Sequence, residues 1–149
     1  MKKHITPFIN QWYKDWFRNE QLYHNWAKKQ NLTYNELFAV YVLHSTLGCT
    51  PTYIAEFLSI SKQTVNSLLE RLEKKGYIQR IPSEEDRRSC TILLSEEGRI
   101  WASKMLGELE QLELRVFSSF TLEEIEMMVN MNKRLTDRFN EEMQKEENT

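Results

Sequence analysis

The stretch SKQTVNSLLERLEKKG, residues 61–76, decides the fold. Ser61 is a favoured residue at a helix start, and Gly76 is a favoured residue just after a helix end. Four apolar residues between them recur at the spacing of one helical face: Val65, Leu68, Leu69 and Leu72. The stretch therefore predicts an amphipathic helix with one buried and one exposed side.

Two helices are predicted immediately before this one. Thr33 and Glu36 form a capping box, in which each side chain accepts a hydrogen bond from a backbone amide at the helix start. We expect that helix to stop at Gly48. Thr50 followed by Pro51 predicts a third, short helix. Because only a short turn separates the third helix from residues 61–76, the pair predicts a helix-turn-helix.

The periodicity changes after the fourth helix. Residues 77–81 predict a strand that Pro82 ends, and residues 90–94 predict its partner. The charged and polar residues 83–88 between them are typical of an exposed hairpin tip. A hairpin directly after a helix-turn-helix predicts a winged helix-turn-helix over about residues 33–94.

Long helices are predicted on both sides of this unit. Apolar residues at helical spacing extend over about residues 5–30. A fifth helix is expected from about residue 96, and a second capping box at Thr121 opens a sixth that extends to about Met143. The tail 144–149 has no apolar residue and is expected to fray. The fold class is therefore mainly α, with six helices and a small β-hairpin wing.

Composition limits the classes of protein. A chain of 149 residues with 40% hydrophobic and 28% charged residues fits one folded domain, residues 1–149. It has no apolar run long enough for a membrane span, and its first residues lack the unbroken apolar segment of a signal peptide. Two cysteines are too few for a disulfide scaffold. We therefore expect a cytoplasmic protein without a membrane partner.

The charges are unevenly distributed. The net charge is −2, but residues 1–49 carry six Lys and Arg against three Asp and Glu, and residues 50–90 carry seven against six. Residues 91–149 carry seven against thirteen. Any basic surface that faces a polyanion must therefore be local, and the C-terminal third is expected to lie away from it.

The exposed face of the fourth helix carries groups that can bind DNA. Amides can pair with adenine and arginine with guanine in the major groove, while Lys62 and the amides after Ser61 can hold phosphate. Glu70 fits near DNA only if it pairs with Arg71 or Lys74 or accepts from a cytosine amine. The same pattern also fits an ordinary solvated helix face. The candidate residues are Ser61, Lys62, Gln63, Thr64, Asn66, Ser67 and Arg71.

The hairpin tip adds a second candidate contact. Asp86, Arg87 and Arg88 stand near the end of the predicted ribbon. An arginine there can enter a minor groove, where the negative potential of DNA is concentrated. Asp86 is placed to hold the Arg88 guanidinium in an extended pose. A charged tip alone is common in hairpins, so the weight of this signal comes from the helix pair that precedes it.

Taken together, these elements resemble the multiple-antibiotic-resistance regulator (MarR) family of bacterial transcription factors. The motifs that carry the resemblance lie at residues 54–56, 60–65, 68–78 with Arg80, 86–89 and 94–98, and the flanking helices match the six-helix plan of the family. The resemblance implies that the fourth helix reads the major groove. It also implies that Arg88 enters the minor groove and that Asp86 orients it. The chain departs from the family at Ser59, where the turn often has glycine.

The resemblance also implies a homodimer built from the terminal helices, about residues 5–30 and 96–144. Ten of the 17 aromatic residues lie in residues 1–49, more than one helix pair can bury in so small a subunit. Obligate dimer interfaces resemble a protein core cut in half. The alternative is that all of these rings lie in an intramolecular core.

An effector site is a further implication of the resemblance. Relatives bind phenolic acids between the dimer helices and the winged unit, which makes Trp12, Trp16 and Tyr41 candidate residues for a small aromatic effector. Aromatic residues at helical spacing are, however, usually core residues.

The histidines and cysteines predict no metal or redox site. His4, His24 and His44 lack metal-ligand spacing, and His44 is expected to be a hydrogen-bonded interior residue. Cys49 and Cys90 have no activating neighbour in the sequence and are expected to be buried as small hydrophobic residues.

The sequence thus favours a sequence-specific DNA-binding transcription regulator, a ligand-responsive repressor that binds a palindromic operator in double-stranded DNA as a homodimer. The alternative is a winged-helix protein-interaction module that does not bind DNA. We find no nucleophile–base arrangement, phosphate loop or metal cluster in the sequence, so we expect neither an enzyme nor a cofactor.

Overall fold

A computed structural model of the chain describes residues 2–82 and 90–147, without the side chains of residues 2 and 3. The described residues form six helices and one antiparallel hairpin, as the sequence predicts. In chain order these are α1 (Lys2–Lys29), α2 (Tyr34–Thr46), α3 (Pro51–Leu58), α4 (Lys62–Lys74), β1 (Ile78–Pro82), β2 (Cys90–Leu94), α5 (Glu96–Phe117) and α6 (Leu122–Glu147). They divide into two compact units, Met1–Leu106 and Gly107–Thr149.

The predicted caps of the helix-turn-helix are confirmed. The Thr33 hydroxyl accepts from the amide of Glu36 at 3.2 Å, and the Glu36 carboxylate accepts from the amide of Thr33 at 2.7 Å. Thr50 accepts from the Tyr53 amide, and the hydroxyl of Ser61 accepts from the amide of Thr64 at 3.0 Å. Each contact pairs an amide that the helix itself leaves without a partner.

Four element ends differ from the prediction. Pro82 does not end β1 but is its last residue, where it lies opposite Cys90, because proline is tolerated at a strand end. Helix α2 ends before Gly48, because Leu47 already adopts a left-handed conformation with φ 56°. Tyr77 lies outside β1, where its ring stacks on Trp101 at 4.0 Å. The tail predicted to fray is helical as far as Glu147. An ion pair between Lys145 and Glu142 at 2.7 Å lies in that last turn, where a cation also suits the helix dipole.

The two predicted strands pair as an antiparallel hairpin, and the hairpin has one further neighbour that the sequence did not predict. Ile78 lies opposite Leu94, and Pro82 lies opposite Cys90. Cys49 forms a two-way backbone bridge with Ile92, with N–O distances of 3.1 and 2.8 Å. This bridge fixes the segment between α2 and α3 on the hairpin.

The core of the first unit is built around α4. All four residues of its predicted apolar stripe are fully buried. They share this interior with residues of α2, α3 and β2, including Leu37, Leu43, Ile54 and Ile92. Burying one side of α4 leaves its opposite side in solvent, and this is the surface that the sequence proposes for DNA.

The start of α5 is held by a close backbone approach. A β-carbon on Gly98 would lie 1.9 Å from the carbonyl oxygen of Tyr77, so only glycine fits there. The Ser95 hydroxyl accepts from the Gly98 amide and donates to the Gly76 carbonyl at 2.6 Å. The Leu94–Gly98 motif thus has a packing role that joins the end of α4 to α5.

The turn of the helix-turn-helix contains a strained serine. Ser59 has φ 53° and ψ 43°, the left-handed region that glycine adopts without a steric penalty. The chain reverses there because the Ser59 amide donates to Glu56 and the Ile60 amide donates to Ala55. The departure from glycine noted in the sequence therefore lies at a position with positive φ.

We predict that Ser59→Gly stabilises the fold. A non-glycine residue in this conformation costs about 1–2 kcal/mol, against about 0.5–1 kcal/mol for the extra freedom of glycine in the unfolded chain. The expected net gain is about 0.5–1 kcal/mol, measured as a higher urea midpoint at an unchanged m value. Ser59→Ala is the control and should give no gain, because alanine keeps the steric penalty. Equal stability of Ser59→Gly and the parent would contradict this account.

Candidate nucleic-acid interface

The candidate residues of α4 and its cap lie at the surface. Every one of them is exposed, while the apolar residues between them are fully buried. The arrangement is a direct result of the helical period, since the polar residues fall on the side away from the core. This exposed group, called here the reading face, consists of Ser61, Lys62, Gln63, Thr64, Asn66, Ser67 and Arg71.

Ser61 and Thr64 of the reading face form a hydrogen bond with each other. The Ser61 and Thr64 hydroxyl oxygens are 2.8 Å apart, and Ser61 also caps the helix. Their first role is thus to fix the start of α4. The amides at this start form the positive end of the helix dipole, and Lys62 adds a full charge beside them, which is a favourable setting for a phosphate.

Arg71 forms the strongest polar contact of the reading face. Its Nε donates to Oε1 of Glu36 at 2.7 Å. The Glu36 residue is only 2% exposed, whereas the Arg71 side chain is 50% exposed. Arg71 is therefore paired with Glu36 and not with Glu70, for which the sequence left Arg71, Lys74 or a cytosine amine as alternative partners. The sequence identified Glu36 only as a cap, because nothing local indicates a partner 35 residues away.

The carboxyl group of Glu36 is charged despite its burial. Burial raises the pKa of Glu36, but the hydrogen bond from the Thr33 amide and the Arg71 guanidinium together lower it by more. The Lys75 charge acts in the same direction. The net result is a pKa below the usual glutamate value, so the carboxylate persists at neutral pH.

Further polar contacts hold the C-terminal half of α4 and the residue after it. Glu73 pairs with Arg80 of β1 at 3.1 Å. Lys75, just after the helix, donates to the Asn31 carbonyl at 2.9 Å. Together with the Glu36–Arg71 pair, these contacts connect the end of α4 to the α1–α2 junction and to the hairpin.

The wing candidates lie outside the described residues. Asp86, Arg87 and Arg88 fall in the segment 83–89, and their contact with a minor groove stays a prediction. The strands that lead into that segment are paired as far as Pro82 and Cys90.

The effector candidates lie on two helices. Trp12 and Trp16 of α1 have ring centroids 5.4 Å apart, and Tyr41 of α2 meets Phe38 edge-on at 6.5 Å. A surface depression of about 890 Å³ in the first unit is lined by other residues, among them His24 and Tyr34. Burial raises the pKa of Tyr34, and the charge of Glu20 adds to that effect. A role of the three candidates in binding an effector stays a prediction.

The predictions for His44 and the cysteines are borne out in different degrees. His44 is half-buried, and its Nε2 lies 3.0 Å from the Ser103 hydroxyl, as expected of a satisfied histidine. Cys49 and Cys90 are half-buried, less than predicted. Burial raises the pKa of the Cys49 thiol, although a hydrogen bond with Thr46 opposes the shift, so this thiol is not activated.

Residues 2–82 and 90–147 contain neither a candidate metal site nor a helix that could span a membrane. No group of three or more His, Cys, Asp or Glu side chains in this part of the chain is arranged to hold a metal ion. None of its helices combines the length and the apolar character that a membrane span needs.

Comparison with known proteins shows which proteins the helix-turn-helix segment resembles. Residues 30–89 match the model of the MarR family. The chain is 37% identical to the HTH-type transcriptional regulator PecS of Dickeya dadantii over 75 residues, which span 50% of this chain and 45% of PecS. It is 29% identical to the HTH-type transcriptional regulator SarZ of Staphylococcus aureus over 104 residues, 70% of this chain and 68% of SarZ. The family model thus covers 60 of the 149 residues, and this segment of the chain resembles the MarR family.

Solved structures of MarR-like regulators share the fold. NMB1585, a MarR family regulator from Neisseria meningitidis, superposes with a TM-score of 0.80 at 23% identity, covering 92% of this chain and 96% of NMB1585. FabT of Streptococcus pneumoniae, solved in complex with DNA, gives a TM-score of 0.70 at 21% identity, covering 95% and 99%. At these identities the likeness shows the fold, and it confirms the winged helix-turn-helix.

We predict that the Glu36 carboxylate stabilises this fold at neutral pH and loses that effect in acid. Because its pKa is lowered in the folded state, the unfolded chain takes up the proton first as pH falls. The contribution is complete above the unfolded pKa of about 4.3 and disappears as pH falls through the folded pKa. At pH 7, Glu36→Gln should cost about 1–2 kcal/mol, the usual effect of losing a charged hydrogen bond.

Urea unfolding of the parent and Glu36→Gln at pH 7, 5 and 3.5 measures this difference. The gap between the two proteins should narrow at the lowest pH. Glu70→Gln on the exposed side of α4 is the matched control, and its effect should stay within about 0.5 kcal/mol. A Glu36→Gln gap that does not change with pH would show that the carboxylate charge is not what stabilises the fold.

Proposed function

We propose that this chain is a sequence-specific DNA-binding transcription regulator. The observation that carries the proposal is the reading face, a row of amide, hydroxyl and cationic groups on the exposed side of the second helix of a helix-turn-helix. In helix-turn-helix proteins this helix lies in the major groove, where its N-terminal residues reach base edges. The DNA-bound state of the similarly folded FabT supports the proposal.

The reading face divides into two kinds of contact. Gln63 and Asn66 carry amides, which can donate and accept at once and so distinguish bases. Lys62 carries a charge beside the helix start, which favours a phosphate of any sequence. Arg88 of the wing would add charge in the minor groove, with Asp86 orienting it.

We predict that truncating the amide side chains reduces base discrimination, whereas truncating the cationic side chains reduces affinity for all DNA. Gln63→Ala or Asn66→Ala should lose about 1–3 kcal/mol of discrimination at one base position per half-site, with little change in affinity for unrelated DNA. Lys62→Ala and Arg88→Ala should weaken binding to all duplexes and lower the salt slope by about one charge per subunit. Titrations on operator and scrambled duplexes at several salt concentrations measure both. Uniform loss from all four variants would mean that α4 does not read sequence.

The competing proposal is a winged-helix module that binds another protein and no DNA. Salt separates the two, because DNA binding releases counterions and weakens steeply as salt rises. An apolar protein contact does not. The reading face favours DNA, since it offers polar and charged groups rather than an apolar patch.

We further propose that the protein is a homodimer. The N-terminal half of α1 exposes apolar side chains at helical spacing, with Phe8 at 75% exposure the most extreme of them. By itself, α6 has no buried residue in its described length, and it exposes Met128, Met131 and Leu135 along one stripe. Monomeric proteins rarely expose contiguous apolar patches of this kind, whereas a second identical chain can cover them symmetrically.

Phe8→Asp is predicted to break the dimer. A charge on the apolar side of α1 would have to be buried without a partner in the interface. Sedimentation at micromolar concentration should therefore show monomer or aggregate. Asn10→Asp adds the same charge on another side of α1 and should leave the dimer intact. A parent protein that sediments as a stable monomer would end the dimer proposal.

The regulatory scheme follows from a dimer with two reading faces. Helices about 34–36 Å apart fit two half-sites one DNA turn apart, which requires a palindromic operator. We propose a cytoplasmic repressor that excludes other proteins from the DNA it occupies. A small aromatic effector held by Trp12, Trp16 and Tyr41 would release it by favouring a helix separation that does not match the operator.

A further inference from the structure

Arg71 lies too far along α4 to share the role of Gln63 and Asn66. A helix rises about 1.5 Å per residue, so Arg71 lies about 13 Å from Lys62 along the axis. The major groove is only about 12 Å wide, and it is the N-terminal end of such a helix that reaches base edges. A side chain this far from that end is placed at the phosphate margin of the groove.

The Glu36 pair also constrains the guanidinium itself. Its Nε is occupied by the Glu36 carboxylate at 2.7 Å, so the fork that includes Nε cannot bind a base as well. In the described part of the chain the guanidinium has no second hydrogen-bond partner. Half of the side chain remains exposed, which leaves Nη groups for an external acceptor.

Glu36 is in turn a rigid support. One oxygen accepts from Arg71, and the other accepts from the Thr33 amide at 2.7 Å. Thr33 closes the capping box by accepting from the Glu36 amide. The carboxylate is thus fixed by backbone contacts, and it restricts the conformations that the long arginine side chain can sample.

We propose that Glu36 is a positioning residue that holds Arg71 ready to bind a DNA phosphate at the edge of the major groove. This inference rests on the proposed DNA-binding function. It changes the role of Arg71 from a base-reading residue to a phosphate contact. It also assigns a DNA-binding role to an acidic, buried residue of α2 that touches no DNA itself.

The effect of Glu36→Gln on DNA affinity should be opposite to the one that net charge alone predicts. Removing a negative charge from a DNA-binding domain normally strengthens its attraction to a polyanion. If Glu36 positions Arg71, Glu36→Gln should weaken binding even though each subunit becomes more positive by one charge. Without Glu36, the Arg71 side chain would be free to move and would lose conformational entropy when it binds DNA. In the parent protein this entropy is already lost on folding.

The test compares Glu36→Gln with Glu70→Gln, a substitution of the same type on an exposed acid of α4. We expect Glu36→Gln to bind operator and scrambled duplexes roughly tenfold more weakly, as loss of one charged contact implies. Glu70→Gln should bind both duplexes at least as tightly as the parent. Equal or tighter binding by Glu36→Gln would overturn the proposal.

A double-mutant cycle shows whether Glu36 acts through Arg71. Arg71→Gln retains a donor for Glu36 but no charge, and should lower the salt slope by about 0.9 per subunit without changing base discrimination. In that background Glu36→Gln should cause no further loss of affinity. A further loss of equal size, or loss of discrimination at one base position in Arg71→Gln, would contradict the phosphate role.

A second variant, Arg71→Lys, tests the proposal even if Glu36→Gln does not fold. Arg71→Lys keeps the charge at a half-exposed position but has no Nε for Glu36 to hold in a planar fork. It should bind more weakly than the parent with a similar salt slope, and binding equal to the parent would overturn the proposal even if Glu36→Gln does not fold. If the parent itself binds no duplex at any salt concentration, the proposed DNA-binding function fails instead, a result distinct from all of these.

Discussion

The burial of the apolar stripe of α4 is the constraint on which the rest of the structure depends. Full burial of a leucine or valine side chain contributes about 1.5–3 kcal/mol, so the four stripe residues together provide a stabilisation comparable to the net stability of a small domain. Their removal from water fixes the rotation of α4 about its axis. That rotation decides that Gln63 and Asn66 face solvent, so the same packing that stabilises the fold also exposes the surface proposed to read DNA.

The parts of this structure that the sequence predicted are those determined by neighbouring residues. The caps at Thr33, Thr50 and Ser61 depend on contacts three residues apart, and the stripe of α4 depends on a helical period. Both signals are complete within a short window of sequence. Gly98 is a different case. The sequence showed the motif that contains it, but only the structure shows why glycine is needed there, namely the close approach of the Tyr77 carbonyl.

What the sequence could not predict depends on contacts between distant residues. The Cys49–Ile92 bridge involves a single residue on one side, too short to give a strand pattern. Glu36 both caps α2 and accepts a hydrogen bond from Arg71. Because the cap alone accounts for a glutamate at this position, the sequence offered no reason to expect the second contact. The end of α2 at Leu47 is harder to predict, because a leucine rarely adopts the left-handed conformation. The glycine that follows it was the expected place for α2 to end.

The polar contacts that connect α4 to other elements are concentrated toward its C-terminal end. Arg71 and Lys75 connect that end to Glu36 and Asn31 at the α1–α2 junction, whereas Ser61 fixes the other end within α4 itself. A shift of the junction would therefore move the end of α4 that we propose to bind phosphate, while the cap would keep the end that we propose to read bases intact. In the proposed complex with DNA, such a shift would alter the position of α4 more than its choice of bases. The proposed steric repressor could then be released from DNA without loss of specificity.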